Sequence, residues 1–457
     1  MRYVAFLTAA LLAGCQSYRP TPLDLAAHGA AWQSRDPASP DVAAYARELA
    51  SARAAEPAFD PADGFSLNEA HVVALYFNPD VRAARLKARV PAASAAEAGR
   101  WQDPTLRIDA ERIIQSVSHP WVIGGMLELT LPLSGTPGLE RAKSLAQADA
   151  AWTTALLEEQ RVLTDLDKAW LELHQLQRRS ELIDGFVKDL DVFVKQAEQL
   201  QKAGEMSPLE AGLLKIERAR KQAELRSLVA RRTEQEIGVK SLMGLTPEAA
   251  VQLLPSLPAA FADSGTTAQE RRERLVALHP KLLHARQQYA VAERSLELEI
   301  RRQYPDLTLG GGFGRDEGTS RILGGLGIPI PIFNANRQAI AEATAERNAA
   351  RAAAEAEYEN LIAALARAEA ALAASDVHRQ VLERDVAPLI DQQLQSARDL
   401  GRLGNINPVA IFESLVIAHD TRLEILDAVG TRAAAVNQIN ALLRPVPGVE
   451  MQMREKQ

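Results

Sequence analysis

The chain has 457 residues, 47% of them hydrophobic and 24% charged, with 52 Lys and Arg against 59 Asp and Glu. That composition is too apolar for a disordered chain, and a net charge of -7 argues against a protein built to neutralise phosphates, hence against nucleic acid as a partner. A single cysteine excludes an intrachain disulfide and a Cys-based zinc site.

The first residues have a basic start at Arg2, a short apolar run from Val4 to Leu12, and small residues before Cys15. This is the pattern of a secretory signal, and the run is too short to span a bilayer as a helix. Leu12-Ala13-Gly14-Cys15 resembles the bacterial lipobox, which implies removal of residues 1–14 and lipid on Cys15. The alternative is an ordinary signal peptide with an incidental cysteine. Gln16 follows where an Asp would argue against the outer membrane. Several acyl chains anchor stably where one alone is marginal. Residues 15–64 are rich in Pro and Ala. They are expected to form an extended tether, with 41–55 able to form one helix.

The body is duplicated. Asn78-Pro79 matches His279-Pro280, Ala84-Arg85 matches Ala285-Arg286, Leu131-Pro132-Leu133 matches Ile330-Pro331-Ile332, and Gly204 and Pro208 match Gly404 and Pro408. A period near two hundred is far too long for a solenoid. It gives two similar halves, 65–260 and 261–445, and a tail, 446–457. Each half reads as a helix (67–99 and 269–303), a β region (103–133 and 306–333), a very long helix (139–202 and 335–402) and a second long helix (208–243 and 408–443).

Sixty-odd helical residues make a rod of roughly 95 Å, so coiled-coil packing is expected. Leu163, Leu166, Trp170 and Leu173 form a heptad seam, continued by Leu176, Ile183, Leu190 and Ala197. Half of residues 339–374 are alanine, which favours close helix approach. Pro388 is expected to kink the second rod. In the β regions, Leu127, Leu129, Leu131 and Leu133 alternate with other residues, and Leu326, Ile328, Ile330 and Ile332 repeat the pattern. Segments 105–113 and 306–315 are their expected hairpin partners. Such stretches suit tilted barrel strands, with Trp101, Trp121 and Tyr304 placed for an aromatic girdle. The competing reading is a small soluble sheet capping the helices.

About four strands per chain cannot close a barrel, and an open edge cannot face lipid. A membrane barrel would have to be shared, and three chains would give twelve strands. The expected fold class is therefore mainly α with a small β part: a long coiled-coil helical barrel plus a shared transmembrane β-barrel.

The order of these elements resembles the TolC-type outer-membrane efflux channels over about residues 65–445. Ala74-Leu75-Tyr76-Phe77-Asn78-Pro79-Asp80, Gln303-Tyr304-Pro305-Asp306-Leu307 and Pro329-Ile330-Pro331-Ile332-Phe333-Asn334 look like family motifs. Ala203-Gly204-Glu205-Met206-Ser207-Pro208-Leu209-Glu210 looks like the CzcC-like heavy-metal-efflux branch. The resemblance implies a homotrimer in the outer membrane. Its partners would be a periplasmic adaptor protein and an inner-membrane transporter of the resistance-nodulation-division type. It also implies adaptor contacts at Gly204, Ser207, Pro208 and Leu209, and at Gly404, Asn407, Pro408 and Val409. The second turn lacks the acidic residue that Glu210 supplies in the first. Glu198 and Asp399, near the two turns, are candidates for a charged gate, with a solvated helix face as the competing reading.

No enzyme chemistry is visible. The eight histidines contain no i, i+4 pair and no HExxH, so no metal site and no cofactor are expected. Gly310-Gly311-Gly312-Phe313-Gly314 lacks the Gly-Lys-Ser/Thr ending of a phosphate loop and fits a barrel strand. The rival function is a non-conducting periplasmic coiled-coil lipoprotein scaffold.

Overall fold

In the computed structural model, residues 17–52, 59–114, 118, 120–258, 265–316, 319–402 and 408–444 are described. Capping boxes open both halves. Ser66 and Glu69 exchange hydrogen bonds at the start of α3 (Leu67–Phe77), and Thr267 and Glu270 do the same at α7 (Ala268–Leu278). Each short helix then breaks before a proline. Asn78 Oδ1 accepts from the backbone N–H of Asp80 and Val81 and caps α4 (Pro79–Glu97). His279 Nδ1 accepts from Lys281 and caps α8 (Pro280–Arg301). One turn on, Arg85 donates back to the Leu75 carbonyl at 2.9 Å, and Arg286 to Val276 at 3.2 Å. The single helices expected over 67–99 and 269–303 are thus helix pairs. Proline has no N–H for the i−4 carbonyl, and the residue before it is pushed out of the helical region.

The N-terminal segment is not an extended tether. It holds α1 (Leu25–Gln33) and α2 (Pro40–Ala52). Val42, Ala46 and Leu49 are buried in one cluster with Ala70, Val73 and Ala74 of α3. Apolar residues at i, i+4 and i+7 give α2 one oily face, which outweighs the local prolines. Trp32 Nε1 and Arg35 Nη1 both donate to the Gly244 carbonyl. Gly244 has φ +75, and a Cβ there would lie 2.4 Å from the Phe77 carbonyl oxygen. Only glycine fits this joint.

The first rod, α5 (Thr136–Ala203), has 68 residues, about 100 Å at 1.5 Å per residue. Leu163, Leu166, Trp170, Leu173, Ile183, Leu190 and Ala197 are buried along it, so the heptad seam is the packed face. Its partner is α6 (Pro208–Leu242). The second rod is α9 (Arg337–Val381), a π-helical turn at Leu382–Val386, and α10 (Ala387–Arg402), followed by α11 (Pro408–Leu443). The π turn ends two residues before Pro388, whose missing N–H leaves the Arg384 carbonyl without its usual donor. The disturbance expected at Pro388 takes this form.

Four strands form one antiparallel meander, β1 (Thr105–Arg112), β2 (Trp121–Leu131), β3 (Leu307–Asp316) and β4 (Thr319–Gly327). β2 pairs with β3 across the two halves, and β1 and β4 are the edges. The expected second strand over 326–332 is corrected. β4 ends at Gly327 and begins at Thr319. Pro329 and Pro331 cannot donate to a ladder, so the alternating Ile328, Ile330 and Ile332 carry no strand. The glycine run lies on β3, where a Cβ at Gly312 would sit 2.4 Å from the Gly125 oxygen.

A buried polar knot is among the ties between the halves. His71 Nε2 lies 2.8 Å from Asp167 Oδ1, and Arg444 lies 3.0 Å from Oδ2. Asn437 donates to the Asp167 carbonyl. Burial alone would raise the Asp167 carboxyl, but His71 and Arg444 outweigh it and hold it below its ordinary value.

His279 is 3% exposed, and burial together with nearby Lys281 lowers its ring to about 4. Between pH 6.5 and 4 the unfolded chain therefore binds a proton that the folded chain refuses. Stability falls as pH drops through that window. At about 1.4 kcal/mol per unit, acidification from pH 7 to 5 should cost roughly 2 kcal/mol through this residue. His279→Asn, the residue of the other half, should keep the cap and remove that loss. Urea unfolding at both pH values checks it.

Candidate functional site

Two regions bear on function, the sheet and the helix turn at the far end of the rods. In the sheet the register separates two faces. Leu106 lies opposite Leu127, Leu309 opposite Leu326, and Phe313 opposite Ile322. All six are exposed, Ile322 by 90%. The other face carries Arg107, Asp109 and Glu111 on β1, Glu128 and Thr130 on β2, Thr308 on β3 and Arg321 on β4. Arg107 and Glu128 lie 3.8 Å apart across the strands. Alternation of this kind gives one oily and one wet surface. Ten residues at ~3.3 Å, tilted about 40°, reach ~25 Å, the height of an outer-membrane apolar band. Trp101 and Tyr304 are exposed where β1 and β3 begin, and Trp121 at the opposite end. Arg112 stacks over Trp121 and Arg301 over Tyr304. Among the described residues no helix is long and apolar enough to cross a membrane.

At the first turn, Gly204 has φ +79, its N–H donates to Gln201, and that of Glu205 donates to Leu200. This pair of bonds is a Schellman close, which favours glycine. Ser207 then caps α6 with Pro208 at its first position. Ser207 Oγ donates to Glu210 Oε2 at 2.7 Å, and the Glu210 N–H donates back to Ser207 Oγ. These hydrogen bonds hold the Glu210 carboxyl below its ordinary value. Leu209 beside them is 76% exposed. Of the second turn, Gly404 and Asn407 lie outside the described residues. Pro408 opens α11, and Val409 is exposed. Cys15 also lies outside the described residues.

Glu198 is half-exposed on α5, with Lys215 of α6 2.9 Å away holding its carboxyl low. Asp399 is exposed on α10 and accepts from Gln395 at 3.2 Å. A second bridge, Arg218 to Asp191, clips α5 to α6 further up. Sequence reasoning passed over both bridges, although Arg218 and Lys215 fall where α6 must recross α5.

Four of the histidines work in packing and capping. His71 and His279 are in the joints above, His284 Nδ1 meets Thr153 Oγ1 at 3.0 Å, and His419 stacks on Phe186 with centroids 4.1 Å apart. Among the described residues no group of three or more His, Cys, Asp or Glu is placed to hold a metal ion.

A thin sheet of membrane height on paired rods of about 100 Å is also found in known proteins. Residues 272–443 match the family described as outer membrane efflux protein. The solved outer-membrane channel OprN superposes with a TM-score of 0.72 at 18% identity, covering 87% of this chain and 96% of that one. The outer membrane protein VceC of Vibrio cholerae gives 0.70 at 16% identity, covering 83% and 96%. In sequence, the cobalt-zinc-cadmium resistance protein CzcC of Cupriavidus metallidurans is 26% identical over 309 residues, 66% of this chain and 71% of CzcC. The chain therefore has the fold class of the TolC-type outer-membrane efflux channels. Its sequence resembles the CzcC-like, heavy-metal-efflux branch of them.

Ser207→Ala should open the first turn of α6 by about 1 kcal/mol, the usual worth of such a cap. Hydrogen exchange there should speed up roughly five-fold, with exchange at the Asp167 knot unchanged.

Proposed function

We propose that this chain is a lipid-anchored outer-membrane protein that forms a homotrimer and serves as the exit duct of a tripartite efflux pump. After loss of residues 1–14, acylated Cys15 holds the protein to outer-membrane lipid. The three sheets form one twelve-stranded barrel, and the rods reach into the periplasm. Conduction is passive, with energy supplied by an inner-membrane transporter of the resistance-nodulation-division type. A periplasmic adaptor docks on Gly204, Ser207, Pro208 and Leu209 and on Gly404, Asn407, Pro408 and Val409. Glu198 and Asp399 sit beside the opening at the tip. Divalent metal cations are the cargo favoured by the likeness to CzcC.

The observation that carries this reading is the sheet. It has an apolar face at membrane height, a charged opposite face, and two unpaired edges, a combination of no use to a periplasmic scaffold. The detergent-extracted mature protein should have the native mass of three chains and should give ion conductance in planar bilayers. A stable monomer, or a trimer that never conducts, would return the scaffold. Gly204→Pro with Gly404→Pro should weaken adaptor crosslinking several-fold while leaving the trimer intact. Wild-type crosslinking would remove the tip assignment.

A further inference from the structure

The N-terminal helices lie on one face of the rods. Val162, Leu166 and Trp170 of α5 pack with α3, and α2 packs on α3 in turn. Arg161, Asp165 and Lys168 lie on the other side of α5. Where this cover meets the end of α6 it leaves an open cavity of about 740 Å³. Its walls are the end of α1, the turn after it, and segments 61–65 and 246–252. It sits beside the Gly244 joint, near the level of Val162 and Leu166, roughly 40 Å along α5 from Thr136. The duplication does not repeat it, since Phe65 corresponds to Thr266 and Phe77 to Leu278.

The lining is bipolar. Arg35 is half-buried, and its Nη1 donates to the carbonyls of Phe77 and Gly244. Its guanidinium lies over the Phe77 ring, 5.4 Å from the centroid. Among the described residues nothing bonds its Nε or Nη2, and no carboxylate pairs with it. Burial, and then the cation of Arg82 on α4, lower Arg35 from its ordinary value. A half-buried guanidinium with donors to spare is suited to an anion, and to a carboxylate in particular, which it can hold through two parallel bonds. On the open rim stand two acids, Asp36 and Glu248, both exposed. Gln252 and Thr246 add an amide and a hydroxyl. The indole of Trp32, 36% exposed and pinned by its Nε1 bond to Gly244, is a flat apolar wall.

We propose that this cavity binds a short zwitterionic peptide of the cell wall. Its carboxylate would lie on Arg35, its amine between Asp36 and Glu248, and the chain between them along Trp32. The proposal rests on the outer-membrane reading above. Three observations select the occupant. The first is size, since about 740 Å³ is the volume of a small-ligand pocket, not of a groove for a folded partner. The second is charge. A plain anion would be repelled by the two acids and a plain cation by Arg35 and Arg82, so the ligand carries both signs. The third is place. Inside a tube, three copies of α1, α2 and α3 would fill the bore, so the cavity faces outward, partway down a rod that crosses the periplasm. The polymer that such a rod meets there is the cell wall, whose short peptides carry free carboxylates and amines on one small unit. Binding would hold the channel at a fixed depth in that mesh.

The test is sedimentation of the detergent-extracted full chain with purified cell-wall sacculi, with native mass and bilayer conductance read on the same preparation. The chain should sediment, and the free tripeptide alanyl-glutamyl-diaminopimelate should release it. Sacculi stripped of their peptides by an amidase should retain none of it, and equal retention would mean a glycan ligand and overturn the proposal. Glu248→Lys reverses one acid of the rim, and Ala38→Trp fills the cavity from an exposed position. Each should cut retention at least ten-fold with native mass unchanged, and wild-type retention in both would overturn the proposal. Conductance without any retention would sink this inference and leave the channel standing. Retention that the two variants abolish, in a chain that never conducts, would keep the site and sink the channel.

Discussion

A β-strand edge is a row of backbone N–H and C=O groups, and in hydrocarbon each unpaired group costs several kcal/mol. The sheet of this chain has two such edges, β1 and β4, and an outward face of Leu, Ile and Phe. Water is the wrong solvent for the face and lipid is the wrong solvent for the edges. In the proposed barrel, pairing of β1 with the β4 of another copy would satisfy both at once. Within one chain four strands are too few to curl back on themselves. In the proposed assembly the backbone would call for neighbours before any side chain at the rods, and the helices below would follow the same geometry.

The duplication explains how one chain builds a strip of nearly constant width. Equivalent positions do the same mechanical work with different atoms. Asn78 and His279 cap a helix after the same break, and Arg85 and Arg286 return to the same carbonyl. Gly135 and Asn336 start the two rods from the same left-handed conformation. Differences arise where the halves meet different surroundings. In the first half, α2 covers α3, whose exposed side would otherwise be Ala70, Val73 and Ala74. In the second half the corresponding helix carries Arg271 and Arg274, which suit water or a partner's acid, and Arg271 takes Glu369.

Much of this was legible in the sequence, because long helices write themselves in composition and period. Glycine and proline placed the tip turn, and the heptad residues from Leu163 to Ala197 marked the packed seam of α5. Short-range signals were less informative. The Pro-rich segment before residue 64 read as extended because proline spacing is visible, while the fit of Val42, Ala46 and Leu49 to α3 is a tertiary fact. Alternation at Ile328, Ile330 and Ile332 read as strand because period two does not register the donors that Pro329 and Pro331 lack. The Asp167 knot joins residues 71, 167 and 444, and no local window holds all three. Heptad steps also run along α6 through the exposed Leu209, Leu213 and Ile216, but a heptad repeat does not say whether its partner is in the same chain. Only burial divides the seam of α5, which is covered, from that of α6, which is not.

That division has an energetic side. The α5 seam is filled by Leu, Ile and Trp, each worth roughly 1.5–3 kcal/mol when fully buried. Alanine contributes far less area per residue than these side chains. The bridges at the tip follow the same logic. Glu198–Lys215 and Asp191–Arg218 are partly exposed, and such pairs are worth about 0–1 kcal/mol each. They add little to stability, but they hold α6 in one register on α5. On the second rod Asp391 pairs with Arg422 at 3.7 Å, below a π turn.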